Sequence, residues 1–217
     1  MKRMLLIVNP VSGQMKIKRY LSDIIDRFNR EDYLVYTYIT AKSSDAEQAV
    51  IRYADLIDLV VCGGGDGTFN ETLSGVMKSG KDIPIGYIPA GSTNDFAASM
   101  NLPSDIDQAV SIIIDGHIRK IDVGRFGQRY YSYVASFGAF TKTSYSTPQD
   151  LKNIFGHAAY ILNGIQELST LKPIHMKVDF MDGETVEGDY LFGAISNSTS
   201  VGGIIRLRED QVDMSDG

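Results

Sequence analysis

Residues 56–77 read LIDLVVCGGGDGTFNETLSGVM, and how they fold decides how the rest of the chain is organised. Residues 56–63 form a short apolar run of the kind that makes a buried strand, and glycines then break it. Beyond the break, Phe69, Leu73, Val76 and Met77 recur on one face of a helix. The stretch therefore predicts strand, glycine loop, helix. Main-chain N–H groups released at the start of such a helix, together with its macrodipole, favour an anion, and glycine lets that anion approach the backbone. Asp66 stands inside this loop and opposes the idea. A carboxylate about 4 Å from a phosphate charge costs on the order of 1 kcal/mol in water and about 4 kcal/mol at an effective dielectric of 20. A divalent cation between the two removes the conflict, because magnesium takes carboxylate and phosphate oxygens together. Two plainer readings stand beside this one: glycines at a strand end are common in turns, and Thr68 with Glu71 fits a helix capping box.

The pattern extends outward from that unit. Residues 3–9, 33–40, 56–63 and 83–89 read as strands, separated by amphipathic segments, as in a parallel sheet with crossover helices. Leu21, Ile24, Ile25 and Phe28 mark the first helix. Ser44-Asp45-Ala46-Glu47 announces the second as a capping box, followed by Ala49, Val50 and Tyr53. A later helix is expected from Ser104, with Ile106, Ala109, Val110 and Ile113 inward and a stop at Gly116. After residue 117 the style changes. HIRKIDVGRF (117–126), YYSYVASF (130–137), IHMKVDF (174–180) and DYLFGAIS (189–196) read as successive strands, with Asp182-Gly183 as a hairpin turn. One long helix is expected at about 149–170. The fold class expected is α/β: a three-layer nucleotide-binding domain with a parallel sheet over 1–124, then a mostly antiparallel, β-rich domain over 125–217.

Composition narrows the function classes. The 217 residues are 43% hydrophobic, enough for a sizeable core, and carry a formal net charge of −6. An acidic chain argues against a broad nucleic-acid footprint. The one cysteine, Cys62, excludes a disulfide framework and suits a reducing compartment. His117, His157 and His175 show no zinc spacing. The opening MKRMLLIVNP is too short in its apolar run for a signal peptide and is cut by Asn9-Pro10. No apolar stretch reaches the roughly 18 residues of a membrane span. A cytoplasmic protein, at most peripheral to a membrane, is expected.

The same polar, glycine-containing device recurs at two further strand ends. IVNPVSGQMK (7–16) places Asn9, Ser12 and Gly13 after the first strand, and YIPAGSTNDFAASM (87–100) places Gly91, Ser92, Thr93, Asn94 and Asp95 after the fourth. In a parallel sheet these ends share one edge, where crevices bind ligands. In their order and spacing, NPVSG, GGGDGTFNE and PAGSTNDFA resemble the diacylglycerol kinase catalytic superfamily, in particular bacterial lipid kinases acting on diacylglycerol or phosphatidylglycerol. The glycine element alone is shared with NAD kinases, whose TPTGSTAY-like segment this chain lacks.

The resemblance implies ATP and Mg²⁺ as cofactors and a lipid with a free hydroxyl as acceptor, met by transient contact with a membrane surface in the cleft between the two domains. It implies that Asn9, Pro10, Ser12, Gly13, Thr40, Gly64, Gly65, Asp66, Gly67, Thr68, Asn70, Glu71 and Ser92 bind the nucleotide. Asp66 would be catalytic and, with Asp95 and Asp122, would hold a magnesium and water network. Ser92 otherwise reads as a helix cap, and Asp122 as a domain-junction residue. Asp213 and Asp216, in DQVDMSDG (210–217), resemble ligands of a second, structural magnesium. Relatives continue for roughly a further 80 residues, an estimate from the resemblance, and carry the general base there, beyond Gly217. Leu151, Ile154, Phe155, Ala158, Ile161, Leu162 and Ile165 read first as core and second as an acyl-chain contact. Two other functions are compatible with the motifs: a kinase of a soluble alcohol or nucleotide, and a nucleotide-binding regulatory module without catalysis. The sequence leaves the acceptor and the oligomeric state open, a homodimer among the alternatives.

Overall fold

The computed structural model describes residues 1–138, 172–201, 205–206, 208, 212 and 214–215. Four parallel strands form the main sheet: β1 (Lys2–Val8), β2 (Tyr33–Ile39), β3 (Leu59–Gly64) and β4 (Ile85–Pro89), in the order β2-β1-β3-β4. The connections are α1 (Lys16–Arg30), α2 (Asp45–Tyr53) and α3 (Asp66–Ser79), with α4 (Asp95–Ser99) and α5 (Ile106–Asp115) after the last strand. Strand alternation in β1 explains the three layers. Met4, Leu6 and Val8 join Ile17, Ile24 and Phe28 of α1 and Val110 of α5 on one face. Leu5 and Ile7 join Ala49 and Val50 of α2 and Val76 of α3 on the other. The five residues from Met4 to Val8 are fully buried, as a central parallel strand must be. At about 1.5–3 kcal/mol for each large side chain taken out of water, these two faces supply most of the cohesion. The edge strand β2 is only half-buried and leaves Leu34 and Ile39 exposed.

Helix ends show where local signals were read correctly and where they were not. Gly80 and Gly116 end α3 and α5 with φ of 67° and 74°, the left-handed geometry that glycine allows. Asp105, not Ser104, caps α5, its carboxylate accepting from Gln108 N at 3.0 Å. Neither expected capping box forms. The Ser44 side chain caps nothing; its own N–H donates at 2.8 Å to Glu71, and Glu47 pairs with Lys78 at 2.8 Å instead of turning back. At α3 the N-cap is Gly65, so Thr68 lies one turn inside the helix and Glu71 is free to reach α2.

Two compact units emerge from the contacts: Met1–Val134 with Ser196–Gly217, and Ala135–Ile195. This division differs from a boundary at 124, because residues 125–134 and the segment from Ser196 onward belong to the first unit. In that unit β5 (Gly124–Phe126) and β6 (Arg129–Tyr131) pair antiparallel. Residues 117–123 are not a strand; Asp122 N donates to Met214 O and Asp122 O accepts from Asn197 Nδ2, both at 2.8 Å, which takes its backbone out of any ladder. β11 (Ser200–Val201) pairs with β12 (Ile205–Arg206). In the second unit β8 (Ile174–Asp179) and β9 (Thr185–Tyr190) form an antiparallel hairpin, and β7 (Val134–Gly138) pairs with β10 (Phe192–Ser196). The expected turn is present, with Gly183 at φ 92°, Phe180 N donating to Glu184 O and Glu184 N to Asp182 Oδ1. The expected helix at 149–170 lies outside the described residues. Among the described residues no helix is long and apolar enough to cross a membrane.

Candidate active site

Between β1 and β3 the sheet order reverses, and crevices at such switch points receive ligands. The turns after β1, β3 and β4 meet there. Asn9 N donates to Gly63 O at 3.0 Å, and Asn9 Nδ2 donates to Thr68 Oγ1 at 3.0 Å, tying the first turn to the head of α3. Asn9 Oδ1 accepts from Val11 N at 3.2 Å and closes the turn that contains Pro10. Ser12 is buried. Gly13 has φ 41°, and a Cβ there would strike the carbonyl oxygen of Ala90. A Cβ on Gly91 would come within 2.5 Å of the Gly65 Cα. Glycine at 13 and 91 thus lets three main chains touch, and Gly65 is tight as well, 3.1 Å from its Cβ position to the Gly91 Cα. Gly64 is similarly crowded by Thr68, 2.8 Å from where a Cβ would stand. Gly67 differs: it is exposed in the first turn of α3, and a Cβ there would meet nothing within 4 Å.

Asp66 begins α3 half-buried, and its Oδ1 accepts from Phe96 N at 3.1 Å. Burial pushes its carboxyl above the ordinary value. The amides of Phe96 and Asp95 pull it back, and the Asp95 charge raises it again. An aromatic cluster sets this geometry. Phe69, one turn along α3, stacks on Phe96 at 4.3 Å between centroids and packs on Tyr87 of β4 at 4.6 Å. It thereby fixes the heads of α3 and α4 against each other. Asn94, which the sequence offered only as part of a polar turn, organises that turn. Its Oδ1 accepts from Gly91 N at 2.8 Å and Tyr87 OH at 3.3 Å, and its Nδ2 donates to Gly91 O at 3.0 Å. Cys62 beneath is inert, its thiol pushed up to about 12 by burial.

The remaining expected residues fall into distinct places. Thr40 is buried at the end of β2, with its N–H on Val8 O at 2.9 Å. Ser92 is exposed in the third turn and does not cap α4, whose N-cap is Asn94. Asn70 turns away from the glycine loop: its Oδ1 accepts from Ser132 N at 3.1 Å and Ser132 Oγ at 2.7 Å. Glu71 Oε1 accepts from Ser43 Oγ at 3.1 Å and Ser44 N at 2.8 Å, bracing the loop after β2. Asp95 is buried and its Oδ1 accepts from Ser200 Oγ at 2.6 Å. Asp122 is half-buried. Among the described residues no three or more His, Cys, Asp or Glu side chains gather into a metal cluster, so Asp66, Asp95 and Asp122 do not form a three-carboxylate cage. Magnesium held together with phosphates takes one or two carboxylates, with water completing the shell, and Asp66 and Asp95 supply that number. Asp213 and Asp216 lie outside the described residues.

Residues 3–126 match the diacylglycerol kinase catalytic domain. A diacylglycerol kinase of Staphylococcus saprophyticus is 33% identical over 210 residues, which cover 96% of this chain and 68% of that one. One from Staphylococcus epidermidis is 35% identical over 210 residues, covering 96% and 66%. The chain thus spans about two thirds of the length of these curated relatives. The solved structure of a candidate diacylglycerol kinase from Bacillus anthracis str. Sterne superposes with a TM-score of 0.81 at 25% identity, covering all of this chain and 71% of that one. The chain belongs to the diacylglycerol kinase catalytic-domain family, and so to the kinases.

Proposed function

We propose that this chain is an ATP-dependent lipid kinase that moves the γ-phosphoryl group of magnesium-bound ATP to the free hydroxyl of a diacylglycerol-like lipid. One observation carries the reading: three turns close on each other at the switch point, yet Gly67, at the head of α3 beside Asp66, faces open space. Close approach of main chains explains glycine at 13, 65 and 91. It does not explain Gly67, where alanine would favour the helix by about 1 kcal/mol. A phosphate that must reach the N–H groups of the first turn does explain it.

In this reading Asn9, Pro10, Ser12 and Gly13 wall the nucleotide on one side and Gly64, Gly65, Gly67 and Thr68 hold its phosphates. Ser92 adds a hydroxyl, Thr40 marks the nucleoside end, and Asn70 and Glu71 support the loops around it. Asp66 and Asp95, with Asp122 through water, hold the magnesium; Asp213 and Asp216 hold a second ion. Magnesium, when bound, neutralises charge on the transferred group. The chain's own contribution is placement. The new P–O bond forms at the lipid oxygen, the β–γ bridge breaks, ADP leaves and the hydroxyl proton is released. The unit of Met1–Val134 with Ser196–Gly217 would serve the nucleotide and Ala135–Ile195 the acceptor, and a lipid acceptor implies a peripheral contact with a membrane surface from the cytoplasm. The relatives, diacylglycerol kinases of Staphylococcus by name, support a diacylglycerol-like acceptor.

The test is a panel of lipids incubated with γ-labelled ATP and magnesium, followed by solvent extraction. Label entering the organic phase with a hydroxyl lipid, and equal release of ADP, is the expected result. Label confined to the aqueous phase with every lipid overturns the lipid assignment, and absence of magnesium-dependent ATP uptake by calorimetry overturns the kinase reading itself.

A further inference from the structure

After β10 the chain runs through Ser196, Asn197, Ser198, Thr199 and Ser200 and is sewn into the first unit by its own polar groups. Asn197 N donates to Tyr133 O at 2.7 Å and Asn197 Nδ2 to Asp122 O at 2.8 Å. Ser198 is fully buried, and its Oγ donates to Ser200 O at 2.7 Å. Ser200 N donates to Ser99 Oγ at 3.2 Å, and Ser99 Oγ donates in turn to Asp95 O at 2.9 Å. With its backbone fixed on both sides, Ser200 donates a buried hydroxyl to Asp95 Oδ1 at 2.6 Å, a short and well-directed bond. Asp95 is only 4% exposed. A carboxylate so far from water needs donors to hold it in one orientation. Its own main chain matters as well: the amides of Asp95 and Phe96 both bond to Asp66. One chain of contacts therefore runs from Ser200 through Asp95 to Asp66.

We infer that Ser200 is a positioning residue for phosphoryl transfer, its hydroxyl setting the Asp95 carboxylate and, through the first amides of α4, the orientation of Asp66 toward a magnesium–nucleotide. The inference rests on the kinase reading above. It assigns a role to a segment that none of the glycine motifs contains. Groups that orient metal-binding side chains typically change metal affinity or activity by about 10- to 100-fold when removed.

The test compares Ser200→Ala with Ser111→Ala, which removes from α5 a hydroxyl bonded to Arg27 and to Asp107 O and to neither Ser200 nor Asp95. Calorimetry with a non-hydrolysable ATP analogue over a magnesium series reads the magnesium midpoint, and thermal melts read stability. Ser200→Ala should raise the midpoint about 10-fold or more and lower kcat by a similar factor at unchanged acceptor KM. Ser111→Ala should lose stability and keep the parent midpoint. Amide exchange at Asp95 and Phe96 should quicken in Ser200→Ala alone, a readout independent of turnover. If Ser200→Ala does not fold, Ser200→Cys, close in volume but a weak donor, is measured the same way, and Ser200→Thr should restore the parent midpoint. Equal midpoints in Ser200→Ala, Ser111→Ala and the parent overturn the assignment while leaving the kinase reading intact. A parent chain that takes up no magnesium–nucleotide overturns both.

Discussion

A methyl group added at Gly13 would strike the carbonyl of Ala90 on a backbone at φ 41°, whereas one added at Gly67 would meet nothing. Gly13→Ala should therefore lower stability by about 1–3 kcal/mol through strain and displacement. Gly67→Ala should leave stability equal or raise it by up to about 1 kcal/mol, while weakening magnesium–ATP binding. Urea melts paired with calorimetry separate the two, and a Gly67→Ala variant that binds nucleotide like the parent would remove the main support for a phosphate at that turn. Asp66 obeys the same logic in its charge. Because burial raises its folded-state value, the native chain holds its proton more readily than the unfolded chain, and stability falls as pH rises through the interval between the two values. Asp66→Asn removes that cost and should melt no lower than the parent at neutral pH. Phosphoryl transfer should fall by about two to three orders of magnitude. The motif made Asp66 legible from sequence. It could not distinguish Gly67 from Gly13, because only the packed structure shows which glycine faces protein and which faces space.

At the scale of elements, α2 is started by Asp45 of its first turn reaching back to the preceding loop and by Glu71 of α3, and not by a capping box. Ala41 N and Lys42 N donate to Asp45 Oδ2 at 2.8 and 3.0 Å, and Ser44 N, at φ 69°, donates to Glu71 of α3. The capping boxes at Ser44 and Thr68 were plausible locally and failed because Glu71 makes a better bond across the layer than along its own helix. Glu71→Ala should cost about 1 kcal/mol and speed amide exchange at Ser44, with no change at Gln108, whose cap on Asp105 is local. The Asp45 carboxyl lies below its ordinary value of 3.8 because those two backbone donors favour the charged form. The unfolded chain then binds more protons between the depressed and the ordinary value, so the contribution is complete above about 3.8 and is lost as pH falls through the depressed value. The gap in unfolding midpoint between the parent and Asp45→Ala should accordingly be constant from pH 7 to 5 and narrow below 3.8; a gap that narrows between pH 7 and 5 would refute the assignment.

At the scale of the molecule, the four-strand sheet was legible because apolar runs alternate with helical periodicity, and burial of β1 and β3 on both faces follows from that pattern. The return of residues 196–201 to the first unit was not legible, since a short polar run has no period and its partners, Asp95, Ser99 and Asp122, are some 75 to 105 residues away in sequence. That return places every described residue of the candidate site within one compact unit, Met1–Val134 with Ser196–Gly217, and leaves the β8–β9 hairpin in the other. A ligand that binds only the native state stabilises it by about 2.7 kcal/mol at a hundred times its Kd, which for a chain of this size corresponds to roughly 5–10 °C in Tm. Magnesium with ATP should give such a shift, ATP with a chelator much less, and Asp66→Asn little with either. Amide exchange should slow around Asn9, Gly65 and Phe96 and in Ser198 and Ser200, while the ladder from Ile174 to Tyr190 keeps its rates. Protection confined to the hairpin, or a shift indifferent to magnesium, would locate the nucleotide away from the joined turns and require a different role for Asp66.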